Sequence, residues 1–144
     1  MAYRALDVAE FIVKRCNEKK RNISNLKLQK ILYFVQAEFL VNEHGPCFDE
    51  NIEAWDFGPV VPEVYRHYRI YGSTSIPYIP DDYVFPFSKD DRLLIDEIVD
   101  ACAIYSASAL VEITHRQDPW KKAYRSSYRA VISNESIKQY FLEE

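Results

Sequence analysis

The stretch Ile52-Glu53-Ala54-Trp55-Asp56-Phe57-Gly58-Pro59-Val60-Val61-Pro62-Glu63-Val64-Tyr65 turns this chain from one kind of element into another. Ile52 to Phe57 reads as a short strand, and Gly58-Pro59 breaks it. A helix then runs from about Val61 to Tyr71. Pro62 fits its first turn, where a missing N–H costs nothing. Gly72 stops it. A large aromatic, a carboxylate and a backbone hinge stand side by side before that helix. This is the layout of a binding module rather than of a catalytic centre.

Upstream, Ala5, Val8, Ala9, Ile12, Val13 and Cys16 recur at helical spacing and predict a first helix from about Ala5 to Lys19. Lys14, Arg15, Lys19, Lys20 and Arg21 gather at its C-terminal end, where cations complement the helix dipole. A phosphate-binding patch is the rival reading. Ser24 or Asn22 caps a second helix that runs through about Val41. Leu28, Ile31, Leu32, Val35 and Phe39 mark one face, and Leu26, Tyr33, Ala37 and Leu40 cover much of the rest. A helix apolar on most sides is normally central to its domain. Gln29 and Gln36 lie two turns apart on it, and a buried amide there needs a partner, with backbone of the following loop the first choice. His44-Gly45-Pro46 ends the helix.

Downstream, Pro77, Pro80 and Pro86 with Asp81-Asp82 predict an extended excursion with a short edge strand near Tyr83 to Phe85. Ser88-Lys89-Asp90-Asp91 resembles a capping box before a helix to about Tyr105. Leu94, Ile98, Ala101 and Tyr105 are its expected core face. Ser106 or Ser108 restarts the chain as a helix to about His115. Asp118 reads as a cap, with Pro119 at the first helical position and Trp120 in the helix that follows. Tyr128 to Ile132 reads as another short strand. Ser133 caps a final helix whose Ile137, Tyr140 and Phe141 pack inward. The expected fold is mainly α, with a minor α+β character. It is a compact bundle of about six helices around a central apolar helix, with two or three short β-strands. No repeat, low-complexity run or linker divides residues 1–144, which read as one domain.

Charge and composition narrow the function. A net charge of −4 disfavours general nucleic-acid binding, which wants a basic surface. No apolar run approaches membrane-spanning length, and Met1-Ala2-Tyr3-Arg4 lacks a signal peptide's apolar block, so the cytoplasm is the expected compartment. Cys16, Cys47 and Cys102 are odd in number and far apart, which is no disulfide framework. The aromatics stand out, with 11 Tyr, 8 Phe and 2 Trp. Most suit the edge of a small core, and some suit an interface.

Enzyme signatures are missing. There is no Gly-x-Ser-x-Gly elbow and no Gly-rich phosphate loop. Cys47 lies three residues after His44, but no third group orients them as a catalytic pair. The same two residues are half of a zinc site whose other half, His67 or His115 with a carboxylate, stands at no diagnostic spacing. Asp49-Glu50, Asp81-Asp82 and Asp90-Asp91 are explained by turns and caps. Arg66 and Arg69 share a helix face with the default reading of a solvated surface. His115 ends a helix, where it satisfies orphan carbonyls or hydrogen-bonds Asp118. Its other reading puts His115, Asp118 and Trp120 on the border of a recognition groove. Trp55 and Trp120 likewise read as core anchors or as hot spots at a groove edge.

The chain resembles the Panacea domain family, also called SocA-like or phage-associated GepA-like proteins. The residues that carry the resemblance are Leu26-Lys27-Leu28-Gln29-Lys30-Ile31-Leu32-Tyr33-Phe34, Glu53-Ala54-Trp55 and Gly58-Pro59-Val60-Val61-Pro62-Glu63-Val64-Tyr65. Tyr105-Ser106-Ala107 with Leu110, Thr114-His115 and Pro119-Trp120 complete it. Cys47 stands where similar sequences commonly have Leu, and Ser106 where they often have Gly. The resemblance implies an antitoxin of a toxin–antitoxin pair, of the kind carried on prophages and mobile elements, which neutralises a cognate toxin by direct binding. In one branch the antitoxin is a proteolytic adaptor that delivers its toxin to a protease. A prophage accessory interaction protein is a further alternative. No appended DNA-binding domain is seen, so autoregulation on DNA is not expected.

The expectation is therefore a non-enzymatic protein with no cofactor and no metal. Its docking surface is expected at Trp55, Asp56, Phe57, Gly58, Pro59 and Val60, extended along the next helix by Glu63, Tyr65 and Arg66. His115, Asp118 and Trp120 face it from across the groove.

Overall fold

A computed structural model describes residues 2–42 and 45–143. His44, which the sequence places at the helix stop and beside Cys47 in the catalytic and zinc readings set aside above, lies outside those residues. Seven α-helices and three short strands follow one another among the described residues. Helices α1 (Ala5–Glu18) and α2 (Asn25–Asn42) lead into strands β1 (Ile52–Trp55) and β2 (Gly58–Val60). Helix α3 (Pro62–Tyr68) tightens into a 3₁₀ turn at Arg69–Tyr71. After an extended segment come α4 (Lys89–Ala103), α5 (Ala107–His115) and α6 (Asp118–Ser126), then β3 (Val131–Ile132) and α7 (Asn134–Glu143). The fold is mainly α with a minor β element, as the periodicity indicates.

Helix α2 is the axis. It packs against α1, α3, α4, α5, α7 and β2. Leu28, Ile31, Leu32, Tyr33 and Val35 are all buried on it. Each such side chain contributes about 1.5–3 kcal/mol by leaving water. The two glutamines find backbone partners. Gln29 accepts from the Val61 N–H at 2.9 Å, and Gln36 accepts from the Cys47 and Phe48 N–H groups at 2.8 and 3.2 Å. They anchor the two ends of the segment from Cys47 to Val61, which carries β1 and β2.

The caps are mostly where sequence places them. Ser24 accepts from the Lys27 N–H, Ser88 from Asp91, Ser106 from Ala109 and Ser133 from Ser136. Asp118 is an exception. The cap position belongs to Gln117, and Asp118 is the first helical residue, where its charge still favours the positive helix end. The basic run at the C-terminal end of α1 is partly consumed. Arg15 and Arg21 both pair with Asp100 of α4, at 2.7 and 2.8 Å. This leaves less of a phosphate patch than the run suggests.

Three expectations differ from the structure. Gly58-Pro59 does not end the β element. It opens β2, which folds back antiparallel on β1 with Trp55 opposite Gly58, so the tip is Asp56-Phe57. Pro59 loses no ladder bond there because β2 is an edge strand of the order β2-β1-β3. Tyr83 to Phe85 forms no strand. That segment instead packs Phe85 and Phe87 edge-on against Phe11 of α1. The core face of α4 is centred one residue further on. Leu94 and Ile98 pack half-buried against the core, Ile95, Val99 and Cys102 are buried, and Ala101 and Tyr105 are exposed.

Candidate functional site

The tip of the β1–β2 hairpin is held from three directions. From beneath, Lys30 of α2 donates through Nζ to the Pro59 carbonyl at 2.8 Å. Lys30 has no solvent exposure, and burial alone pushes its pKa down to about 7. Its amine also lies 5.6 Å from the centre of the Phe57 ring. Gly58 makes this approach feasible. Its φ is +103°, and a Cβ there would stand 2.6 Å from Lys30 Cε and 2.9 Å from Thr114 Oγ1. Only a glycine satisfies both the backbone angle and the space.

From the α5–α6 corner, the Trp120 indole N–H donates to the Trp55 carbonyl at 2.9 Å. The His115 ring stacks on Trp120 at 4.0 Å between centres, and Tyr124 stacks on its other side at 4.5 Å. The Tyr124 hydroxyl then donates to Asp56 Oδ1 at 2.8 Å. A short column, His115–Trp120–Tyr124, thus ends on the hairpin tip. Burial pushes the His115 pKa below its ordinary value, opposed by the Asp56 carbonyl. Its Nε2 is buried without a hydrogen-bond partner, and no bond to Asp118 forms. From α3, Tyr65 meets Trp55 at 5.1 Å and Phe57 at 6.0 Å between ring centres.

Both tryptophans are interior, 6 % and 8 % exposed, so they support the tip and are not its surface. Asp56 is exposed and Phe57 half-buried. Phe57 stands between two open clefts. One, of about 280 Å³, is lined by Trp55, Asp56, Phe57, Tyr124, Tyr128 and Arg129 among others. The other, of about 320 Å³, is more apolar and lined by Leu26, Phe57, Tyr65, Arg69 and Gly72 with polar neighbours. Gly58, Pro59 and Val60 are buried beneath. Glu63, Arg66 and Asp118 are exposed but line neither cleft.

Sequence reading missed Lys30, Tyr124, Tyr128 and Arg129. Lys30 was visible in principle. It sits inside Leu28-Gln29-Lys30-Ile31-Leu32-Tyr33, on a helix already read as buried on most sides. Trp120, Tyr124 and Tyr128 recur every four residues, which puts the first two on one helical face. Nothing in the pattern points to Arg129.

The Cys47 thiol is buried, and burial pushes its pKa above the ordinary thiol value, which disfavours the thiolate a nucleophile requires. Among the described residues no three His, Cys, Asp or Glu side chains gather to hold a metal. No helix among them is long and apolar enough to cross a membrane.

Comparison with known proteins gives a consistent family. The model of the family described as "Antitoxin SocA-like, Panacea domain" matches residues 28–121, from α2 to the start of α6. A relative named "Antitoxin SocA", from Caulobacter vibrioides (strain NA1000 / CB15N), is 34 % identical over 78 % of this chain. The aligned part spans 66 % of that relative's length. No solved structure matches. The matched region holds the buried axis, the hairpin and the Trp120 anchor together, and on this evidence the chain belongs to the Antitoxin SocA-like, Panacea domain family.

Proposed function

We propose that the protein is the antitoxin of a toxin–antitoxin pair and neutralises a cognate toxin by direct, non-catalytic contact. It acts in the cytoplasm as one domain. The family description and the relative's name support the antitoxin role. The observation that carries the mode of action is Phe57. It stands half-exposed between two clefts on a tip pinned by Lys30, Trp120 and Tyr65. An aromatic on a preorganised support loses little entropy on docking, which is where interface affinity concentrates.

The docking face on this reading comprises Asp56 and Phe57 at the tip, Tyr65 on one side and the α6 end on the other. Trp55, His115 and Trp120 hold it in shape. Gly58, Pro59 and Val60 form its floor. Glu63, Arg66 and Asp118 are rim charges that orient a partner.

The test is co-expression of the product of the neighbouring open reading frame with and without this protein. The expected result is growth arrest by that product alone, rescue by the wild type, and loss of rescue by Phe57→Ser. A harmless neighbouring product, or full rescue by Phe57→Ser with wild-type expression, overturns the reading. Toxin half-life is measured in the same cells. An unchanged half-life accords with blocking by contact, and a shortened one replaces blocking with delivery to a protease.

A further inference from the structure

The end of α6 has an electrostatic character opposite to that of the chain. Residues 118–129 carry Lys121, Lys122, Arg125 and Arg129 against the single carboxylate of Asp118, a balance of +3 within a chain of −4. Lys121 and Arg125 are one turn apart on the face that turns from the core beside Tyr124. Lys122 points to a different cleft, shared with α7. Lys121 lies 4.0 Å from Asp118, and the exposed Tyr124 and Tyr128 line the cleft beside the hairpin tip together with Arg129.

Arg129 is the unusual member. Its guanidinium lies 3.8 Å from the centre of the Trp55 ring and 5.1 Å from that of Tyr128. A guanidinium over an aromatic face packs through its π surface, and its N–H donors lie in the plane at its edge. Among the described residues no carboxylate lies within salt-bridge distance of it. The two acids of this face are held by neutral donors, Asp56 by the Tyr124 hydroxyl and Glu53 by the Trp55 indole N–H. Arg129 also has φ +50°, a left-handed conformation that a long side chain rarely adopts. Such residues concentrate at ligand clamps. A flat, unpaired guanidinium on the wall of the cleft is shaped to take a carboxylate through two parallel hydrogen bonds.

Resting on the antitoxin reading, we infer that the cleft between the hairpin tip and the α6 end receives an acidic segment of the toxin. One carboxylate seats on Arg129 over Trp55, and neighbouring acids face Lys121 and Arg125. A nucleic acid is the lesser occupant, since the chain around this patch is net negative and repels a long polyanion, whereas a protein carboxylate is drawn in only at short range.

The test uses phage-displayed random dodecapeptides selected on the immobilised full-length protein. The enriched peptide is then measured by fluorescence anisotropy. We expect enrichment of Asp and Glu beside apolar residues, and weaker binding as salt rises. Arg129→Asn keeps a residue that tolerates the left-handed backbone but removes the cation. It is expected to unfold no earlier than the wild type and to bind about tenfold more weakly. Arg129→Lys does not restore binding, because an ammonium neither stacks nor binds bidentately. An enriched sequence without acids, no enriched sequence, or unchanged affinity of Arg129→Asn overturns the inference. So does displacement of the peptide by oligothymidylate at equal concentration, which assigns the cleft to nucleic acid. In the growth assay, equal rescue by wild type and Arg129→Asn also overturns it but leaves the antitoxin reading standing. Failure of the wild type to rescue removes that reading, while the peptide selection still decides what the cleft binds.

Discussion

Lys30 reaches from the central helix to the carbonyl of Pro59 and makes its 2.8 Å hydrogen bond with no contact with solvent. A cation there is expensive to bury, and burial lowers its pKa from the ordinary lysine range to about 7. In the unfolded chain the amine keeps its ordinary pKa of about 10.4. Between those two values the unfolded chain binds more protons than the folded one, so folding becomes more favourable as pH rises. Below the folded pKa both states are protonated and the burial penalty is complete. Lys30→Met has no such group. Urea unfolding of both proteins between about pH 7.5 and 9.5 is expected to move the difference toward the wild type, with a slope approaching about 1.4 kcal/mol per pH unit. A difference that stays flat across that window contradicts a depressed Lys30.

Gly58 and Lys30 occupy each other's space. Gly58→Ala places a Cβ against Lys30 Cε and Thr114 Oγ1 at a φ of +103°. The angle and the overlap are each expected to cost about 1–3 kcal/mol. Shortening the lysine removes only the first overlap. The double variant Lys30→Ala/Gly58→Ala is therefore expected to lose less stability than the two single losses added together. Strict additivity in denaturant unfolding would show that the two residues do not touch.

The architecture was legible where one period governed a whole element. The stripe from Ala5 to Cys16, the all-round apolar α2 and the serine caps each carry their own local signal, and tertiary packing reinforces them. The hairpin was not legible, because Gly58-Pro59 signals a break in any local reading. It becomes a strand only because β1 offers a ladder and Lys30 offers a donor from 29 positions away. The face of α4 was legible only in part. Its apolar residues surround more than one side, so that Leu94 and Ile98 pack against the core but Ile95, Val99 and Cys102 are the ones buried. At the site, the tryptophans were legible as core anchors, and their burial bears that reading out over the one that put them at a groove edge. Their neighbours Phe57, Tyr124 and Arg129 reach the surface instead, since each Trp is drawn in by a specific bond or stack.

Trp120 and Tyr124 make adjacent bonds to the same hairpin, yet their loss is expected to differ sharply. Trp120→Phe retains an aromatic stack but removes the donor to the Trp55 carbonyl in a buried setting. An unsatisfied buried carbonyl costs about 1–3 kcal/mol, and the lost ring volume adds to it. Tyr124 is 42 % exposed, and its hydroxyl bonds an exposed Asp56. Tyr124→Phe is expected to change stability by no more than about 0.5 kcal/mol. Thermal unfolding monitored by circular dichroism ranks the two, and equal losses would contradict the separation of support from surface.

Asp96 and Asp100 lie one turn apart on α4, and the end of α1 treats them oppositely. Arg15 first, then Arg21, hydrogen-bonds the Asp100 carboxylate and holds its pKa down to about 2. Burial pushes Asp96 upward, with Arg15 3.6 Å away opposing the rise, and its Oδ1 has no hydrogen-bond partner. For Asp100 the folded pKa is the lower one. Its contribution is complete above the unfolded value of about 3.9 and disappears as pH falls through about 2. The side chain is 39 % exposed, so solvent screening limits the contribution to about 1 kcal/mol or less. Asp96 has the opposite sign, because protonation relieves a charge that the fold disfavours. At neutral pH, Asp100→Asn is therefore expected to unfold slightly earlier than the wild type, and the gap is expected to close on acidification. Asp96→Asn is expected to equal or exceed wild-type stability at pH 7 and to lose that advantage as the medium becomes acidic. Both comparisons are made by urea unfolding across the acid range. A loss of stability in Asp96→Asn comparable to that in Asp100→Asn would mean that Arg15 is shared evenly between the two carboxylates and that the clamp does not select Asp100.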